Sequence, residues 1–173
     1  MQERTIKYIE MESPIGPLVL GATAEGLCRV EFGRWADAKA GLREWSERWL
    51  GTREWVPGRE ALAAAEAQLT EYFRGERQVF DLLLDLRGTP FQTKVWHALT
   101  DIPYGGICSY KDIGRAIGSE KAVRAVGGAN NRNPVPVIVP CHRVIGADGA
   151  MVGYGGGLDV KTFLLRLEGS IMI

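Results

Sequence analysis

Apolar and polar residues alternate at the start of the chain, with Ile6, Tyr8 and Glu10 in one register, until Ser13-Pro14-Ile15-Gly16-Pro17 breaks the pattern. Alternation with a period of two marks a half-buried strand, and the Pro and Gly residues mark a turn. Leu18-Val19-Leu20 resumes the pattern, Glu25-Gly26 makes a second turn, and 27–32 runs on. Residues 5–32 therefore read as an antiparallel meander. The period becomes helical over 36–50 and 59–74. In the second of these, Leu62, Ala65, Leu69, Tyr72 and Phe73 form one stripe, and Gly75 ends it. Residues 79–86 look extended, and Arg87-Gly88 is the candidate boundary between domains at 1–87 and 88–173.

The second half changes character. Thr89-Pro90 is a cap followed by proline at the first helical position. Phe91, Val95, Trp96 and Leu99 follow at helical spacing, and Ile102-Pro103 stops them before a turn at Tyr104-Gly105-Gly106. Ser109-x-x-Asp112 reads as a capping box opening a short helix, with Ile113, Ala116 and Ile117 as its buried face and Gly118 closing it. Ser119 is read as the cap of the next helix, which runs to about Asn130. Two short helices on a glycine-containing turn make a helix-turn-helix pattern, one that many helical domains share. The second helix carries small residues, Ala122, Ala125, Gly127, Gly128 and Ala129, with Arg124 among them. Its glycines weaken it by about 1 kcal/mol each relative to alanine. Small side chains permit close approach either to a nucleic-acid backbone or to another helix, and the residues alone leave both open. A last helix starts near Asp159 with Val160, Phe163, Leu164 and Leu167 as its stripe. Glu168 borders that stripe in the last turn, where the helix dipole disfavours an anion. It is either paired with a cation or hydrogen-bond donor, or solvated before Gly169.

Composition narrows the class. The chain is 46% hydrophobic and 24% charged, ordinary for a globular protein. It has no apolar run near the roughly 18 residues a membrane helix needs, and Met1-Gln2-Glu3-Arg4 lacks a signal-peptide layout. A soluble, cytoplasmic monomer with no membrane partner is expected. Cys28, Cys108 and Cys141 cannot all pair, and their spacing fits neither a zinc ribbon nor C-x-x-C; with two histidines, reduced thiols, no metal and no cofactor are expected. The net charge of zero hides an asymmetry: 12 Lys/Arg against 15 Asp/Glu in 1–87, and 9 against 6 in 88–173. Within 111–132, Lys111, Arg115, Lys121, Arg124 and Arg132 face only Asp112 and Glu120, which is either scatter or a footprint for a polyanion.

The densest chemical signal is Asn133-Pro134-Val135-Pro136-Val137-Ile138-Val139-Pro140-Cys141-His142-Arg143-Val144. Three prolines and a run of aliphatic residues predict a stiff, buried, extended approach to Cys141, with a turn following at 146–149. A buried cysteine is more often a small hydrophobe than a nucleophile. A cysteine beside cations, here His142 and Arg143, tends instead toward the reactive thiolate. Neighbours on an extended strand point to opposite faces, so contact between Cys141 and His142 needs a turn or a bridging water.

Pro140-Cys141-His142-Arg143-Val144 resembles the active-site signature of the O6-alkylguanine-DNA alkyltransferases. Phe91-x4-Trp96, Ile102-Pro103-Tyr104-Gly105, Ser109-Tyr110, Arg124-Ala125-Val126-Gly127, Asn133-Pro134, Gly153-Tyr154-x-Gly156-Gly157 and Lys161 resemble that family in order and spacing. The resemblance covers the second half nearly end to end. In the first half its clearest piece is Ser13-Pro14-Ile15-Gly16-Pro17-Leu18.

The resemblance implies an α+β fold, with an N-terminal ribonuclease H-like antiparallel sheet with helices and a C-terminal, mainly helical, winged helix-turn-helix-like domain. It implies repair of double-stranded DNA containing O6-alkylguanine by one irreversible transfer of the alkyl group to Cys141. It makes His142 a base acting through water, Glu168 the carboxylate that orients it, and Asn133 a hinge between the recognition helix and the active-site strand. It gives Tyr110 a part in rotating and hydrogen-bonding the nucleotide, and Arg124 the place of the extruded base. Ser109, Ala122, Ala125 and Gly127 are implied to face DNA, and Val144, Met151, Tyr154, Gly155 and Gly156 the guanine pocket. Gly155 stands where some members carry serine, which removes a side-chain donor and widens the pocket. Cys108 is expected to be inert.

Three competitors remain at this point. A helix-turn-helix regulator without chemistry leaves the Cys-His-Arg segment without a purpose. A lesion binder that does not transfer carries another residue in place of Cys141. A Cys-His hydrolase needs an oxyanion hole, for which no local signature is visible.

Overall fold

The computed structural model describes residues 5–146, 151 and 154–170. Residues 147–149 of the turn after Cys141, and Gly153 of the glycine-tyrosine segment, lie outside the described residues. The chain divides into two compact units, Met1–Arg87 and Gly88–Ile173. No helix among the described residues is long and apolar enough to cross a membrane.

In the first unit, β1 (Ile6–Met11), β2 (Leu18–Thr23) and β3 (Gly26–Phe32) form the meander expected from the alternation. Helix α1 (Trp35–Leu50) then crosses back, and β4 (Trp55–Pro57) pairs parallel to β1, Ile6 against Trp55. The sheet order is β3-β2-β1-β4, so the sheet is mixed and not purely antiparallel. A helical crossover returns the chain in the direction in which it left, which is why β4 runs parallel. Helix α2 (Arg59–Phe73) buries Leu62, Ala65, Leu69 and Tyr72, while Phe73 is only half-buried. Residues 79–86 are not a strand. They meet the edge of β3 at one bridge, Leu27 to Leu84, with Leu27 N–H donating to Leu83 O and Asp85 N–H donating to Leu27 O.

The core of this unit joins Ile6, Val19, Cys28, Leu42 and Trp55, with Tyr8 stacked on Trp35 at 3.9 Å between centroids. Gly21 is required by a close approach: a Cβ there would lie 2.7 Å from the Trp55 ring. The buried polar residues here are few. Ser46 Oγ donates to Thr52 O and receives the Trp55 indole N–H. Asp85 takes Thr23 Oγ1 at 2.6 Å and Arg87 Nε at 2.7 Å.

The second unit opens with α3 (Pro90–Thr100), capped by a reciprocal box between Thr89 and Gln92. It buries Val95, Trp96 and Leu99. Strand β5 (Cys108–Ser109) leads into α4 (Tyr110–Ala116), and Ser109 and Asp112 form the expected capping box. Ile113 is buried, but Ala116 is exposed and Ile117 only half-buried, because Gly114 takes the close position against the turn at Ser119 and Glu120. The next helix, α5 (Val123–Asn131), starts four residues later than its predicted cap. Ser119 belongs to the turn, its N–H donating to Gly114 O, and Ala122 stands at the N-cap without a side-chain bond.

Residues 134–140 are buried, except half-buried Ile138, but are not a strand. Val139 N–H folds back to Val135 O, and Val137 has φ +74°. A β-branched residue in that region stores of order 1–3 kcal/mol, held there by the packing around it. A 3-10 turn, Cys141–Arg143, follows and leads into β6 (Val144–Ile145). Strands β5 and β6 pair in parallel, Cys108 with Val144 and Ser109 with Ile145. Helix α6 (Leu158–Leu167) ends the unit. Its buried face runs through Lys161, Leu164 and Leu165 to Glu168, not through Val160, Phe163 and Leu167, which are half-buried.

Candidate active site

The sequence expected an extended Cys141 with His142 on the opposite face. The 3-10 turn removes that problem. With Arg143 N–H donating to Pro140 O, three consecutive side chains fan into the same interior, and Cys141, His142 and Arg143 are 4%, 0% and 6% exposed. The fan is held from several sides. Asn133 Nδ2 donates to Val139 O at 2.8 Å, and its Oδ1 accepts Val135 N–H at 2.9 Å, so one amide closes the loop before the turn. Asn130, near the end of α5, reaches Cys141 O at 3.5 Å, while the Trp96 indole donates to Ala129 O. Helix α3 thereby braces α5, and α5 braces the turn that carries the thiol.

Glu168 sits at the C-cap of α6, where the sequence left it paired or solvated. It is buried and paired. His142 Nε2 lies 2.8 Å from its Oε2, Arg143 Nε donates to its Oε1 at 2.8 Å, and a second guanidinium nitrogen donates to Oε2 at 3.0 Å. The third guanidinium nitrogen donates to Ile102 O, and the guanidinium carbon lies 5.9 Å from the Tyr104 ring centroid. The carboxylate accepts hydrogen bonds on both oxygens, so Nε2 carries the imidazole hydrogen. Nδ1 is then an acceptor, and it is buried without a hydrogen-bond partner among the described residues.

The electrostatics correct one expectation. The cations adjacent in sequence do not make Cys141 a thiolate. Arg143 is committed to Glu168, and burial lowers the His142 pKa, opposed by Glu168. Burial pushes the Cys141 thiol up to about 11, opposed by a hydrogen bond from the Asn133 side chain and by the charge of Lys161. The resting thiol is therefore protonated at neutral pH. Lys161 is the cation that faces it. This lysine is wholly buried on α6, its Nζ donates to Val144 O, and burial lowers its own pKa against the opposing pull of Cys141. The sequence named Lys161 only as part of the resemblance, and gave Arg143 a role beside the thiol and not on Glu168. The available signal was a lysine at i−3 and i−4 from Leu164 and Leu165, on what proves to be the buried face of α6.

The remaining candidates fall into two groups. Tyr110, half-buried at the start of α4, has its hydroxyl pKa raised by burial and then by Cys141, which puts it in the electrostatic neighbourhood of the thiol. Gly127 faces it, since a Cβ there would lie 4.0 Å from the Tyr110 ring. Val144 is buried directly after the turn; Met151, Tyr154 and Gly156 are half-buried, and Gly155 is exposed with open space where a side chain would begin. Arg124 and Ala125 are exposed on α5, and Arg124 makes no ion pair among the described residues. Ser109 is half-buried and occupied by its cap, and Ala122 is half-buried at the N-cap of α5. Among the described residues no group of three His, Cys, Asp or Glu side chains could hold a metal. Cys108 is half-buried, and burial followed by Asp112 raises its thiol to about 11.

Family models match both units. The model for the 6-O-methylguanine DNA methyltransferase ribonuclease-like domain matches residues 6–86, and that for the DNA binding domain matches 90–170. The methylated-DNA–protein-cysteine methyltransferase of Methanosarcina acetivorans is 48% identical over 163 residues, covering 94% of this chain and 98% of the relative. The constitutive enzyme of that name from Bacillus subtilis is 45% identical, covering 93% of this chain and 94% of its own. Among solved structures, Mycobacterium tuberculosis OGT in complex with DNA superposes with a TM-score of 0.80 at 44% identity, covering 96% of this chain and 93% of that one.

Proposed function

The chain belongs to the 6-O-methylguanine DNA methyltransferase family, and from that premise we propose that Cys141 Sγ takes the alkyl group from O6 of guanine in duplex DNA, once per molecule. The coarser part needs no proposal: the chain is a methylated-DNA–protein-cysteine methyltransferase acting in DNA repair. The finer part is the route. The sulfur attacks the alkyl carbon in line, the C–O6 bond breaks toward guanine, and a thioether forms. The thiol proton passes through a water to His142 Nδ1 and from there to the departing guanine. A thioether is a poor electrophile at neutral pH, so the sulfur is not regenerated and the protein is used up.

The observation that carries this reading is the pairing of a buried neutral thiol with a buried imidazole that has one nitrogen committed to Glu168 and the other unoccupied among the described residues. Such a thiol is quiet until a substrate arrives, and such an imidazole is ready to accept one proton. The O6 atom of a stacked guanine is out of reach, so the base must leave the helix. Exposed Arg124 supports a role in filling the gap, and α4 with α5 supplies the DNA-facing pair. Tyr110, Val144, Met151, Tyr154, Gly155 and Gly156 line the pocket in this reading. Open space at Gly155 suits the entry of alkyl groups larger than methyl.

The test is peptide mass analysis after incubation with duplex DNA containing O6-methylguanine. The expected result is one methyl on the Cys141 peptide in stoichiometric amount, with no turnover under excess DNA. Repeated turnover indicates a different enzyme, and binding without transfer indicates a lesion reader. Arg124→Ala is expected to slow repair in duplex more than attack on the free modified base.

A further inference from the structure

We propose that Arg143 holds His142 as a neutral base by neutralising Glu168, which makes it a positioning residue for alkyl transfer. The inference rests on the reading above for its use, but its geometry stands alone. Oε2 of Glu168 is shared: His142 Nε2 lies 2.8 Å from it and a guanidinium nitrogen 3.0 Å, while Arg143 Nε holds Oε1 at 2.8 Å. The arrangement is a side-on fork on a carboxylate that is 6% exposed, with the far end of the guanidinium fixed on Ile102 O.

The charge count gives the consequence. A buried carboxylate with no cation draws a proton onto an imidazole in contact with it. Here the guanidinium, which stays protonated in proteins, already balances that carboxylate. Glu168, Arg143 and a neutral His142 sum to zero. The buried cation of Lys161 already makes the group positive, and a proton held on His142 would add to that charge, so the imidazole passes a proton on and does not keep it. The charged groups acting on His142 all bear on this: Glu168 and Lys161 from α6 and Arg143 from its own turn, with Tyr104 from the segment after α3 against the guanidinium. Apart from Glu168, the charged ones, Arg143 and Lys161, are cations that oppose protonation, in line with the depressed pKa of His142.

The chain has two histidines, so a nuclear magnetic resonance titration of the full-length protein reads both, with exposed His97 as internal reference. In Arg143→Gln the His142 midpoint is expected to rise by at least about one pH unit, a tenfold change in the protonated fraction. The acid limb of the single-turnover methyl-transfer rate should move with it. In the charge-balanced Arg143→Gln/Glu168→Gln pair both should return to low pH, with His97 unmoved throughout. An unmoved His142 midpoint in Arg143→Gln, with transfer slowed equally at every pH, overturns the proposal. Should that variant not fold, Arg143→Lys keeps the charge and should hold the His142 midpoint near the wild-type value; a midpoint raised there by about one pH unit overturns the proposal. If wild-type Cys141 takes no methyl, the proposed function fails while the titration still decides the role of Arg143.

Discussion

The two units bury different things. The first encloses aliphatic side chains and a tryptophan-tyrosine cluster, and its buried polar residues, Ser46 and Asp85, are satisfied by near neighbours. The second encloses Asn130, His142, Arg143, Lys161 and Glu168 around one thiol. Apolar burial stabilises without specifying chemistry. Enclosed charge is weak support for stability, because desolvation offsets most of the attraction. The first unit fills its interior with apolar contact, and the second gathers five polar or charged residues around one sulfur.

That contrast can be broken at its extremes. Cys141→Ser should abolish alkyl transfer, read by peptide mass, while DNA binding persists; transfer that survives would move the chemistry elsewhere. Glu168→Ala should destabilise the second unit by about 3–5 kcal/mol in urea unfolding, since it strands a buried guanidinium. Leu69→Ala, in the wholly buried stripe of α2, should cost about 2–5 kcal/mol yet leave the transfer rate of the folded protein unchanged. A rate loss there would show that the first unit takes part in the chemistry.

The pH dependence sharpens the same contrast. His142 is held below its ordinary pKa of 6.5 by burial. The unfolded chain therefore binds a proton that the folded chain refuses, so stability is complete above about pH 6.5 and falls as pH drops below it. Denaturant midpoints of wild type measured above and below that value should show the fall, and His142→Gln should flatten it. The smallest effect is expected at Arg115, whose pairs with Asp112 and Glu120 are exposed: Arg115→Ala should change stability by less than about 1 kcal/mol.

What could be read in advance follows from how far each partner lies along the chain. Helices α1, α2, α3 and α4 were legible because their stripes and caps, such as Thr89 with Gln92 and Ser109 with Asp112, lie within a few residues of each other. Strand β4 was not, because three residues carry no period and Trp55 is a strand residue only through Ile6. Residues 79–86 read as a strand from composition, but they find one bridge partner on β3. In the second unit the identities of Cys141, His142 and Glu168 stood out through the resemblance. Their arrangement did not: the charge on Arg143 looked available to the thiol until Glu168, twenty-five positions later in the chain, was seen to hold it. Lys161 stood out only through the resemblance, and its burial was not legible because its acceptor, Val144 O, comes from a different element.

The parallel pair of β5 and β6 has a mechanical meaning. Cys108 with Val144 and Ser109 with Ile145 close a ring of chain whose circumference contains α4, α5, the Asn133 loop and the thiol turn. The helix pair α4 and α5 and the turn that carries the Cys141 thiol hang from the same two-residue latch. Parting that latch would free the helix pair and the Cys141 turn together, so slow amide exchange at this clasp would be a measure of how firmly the two are kept in step.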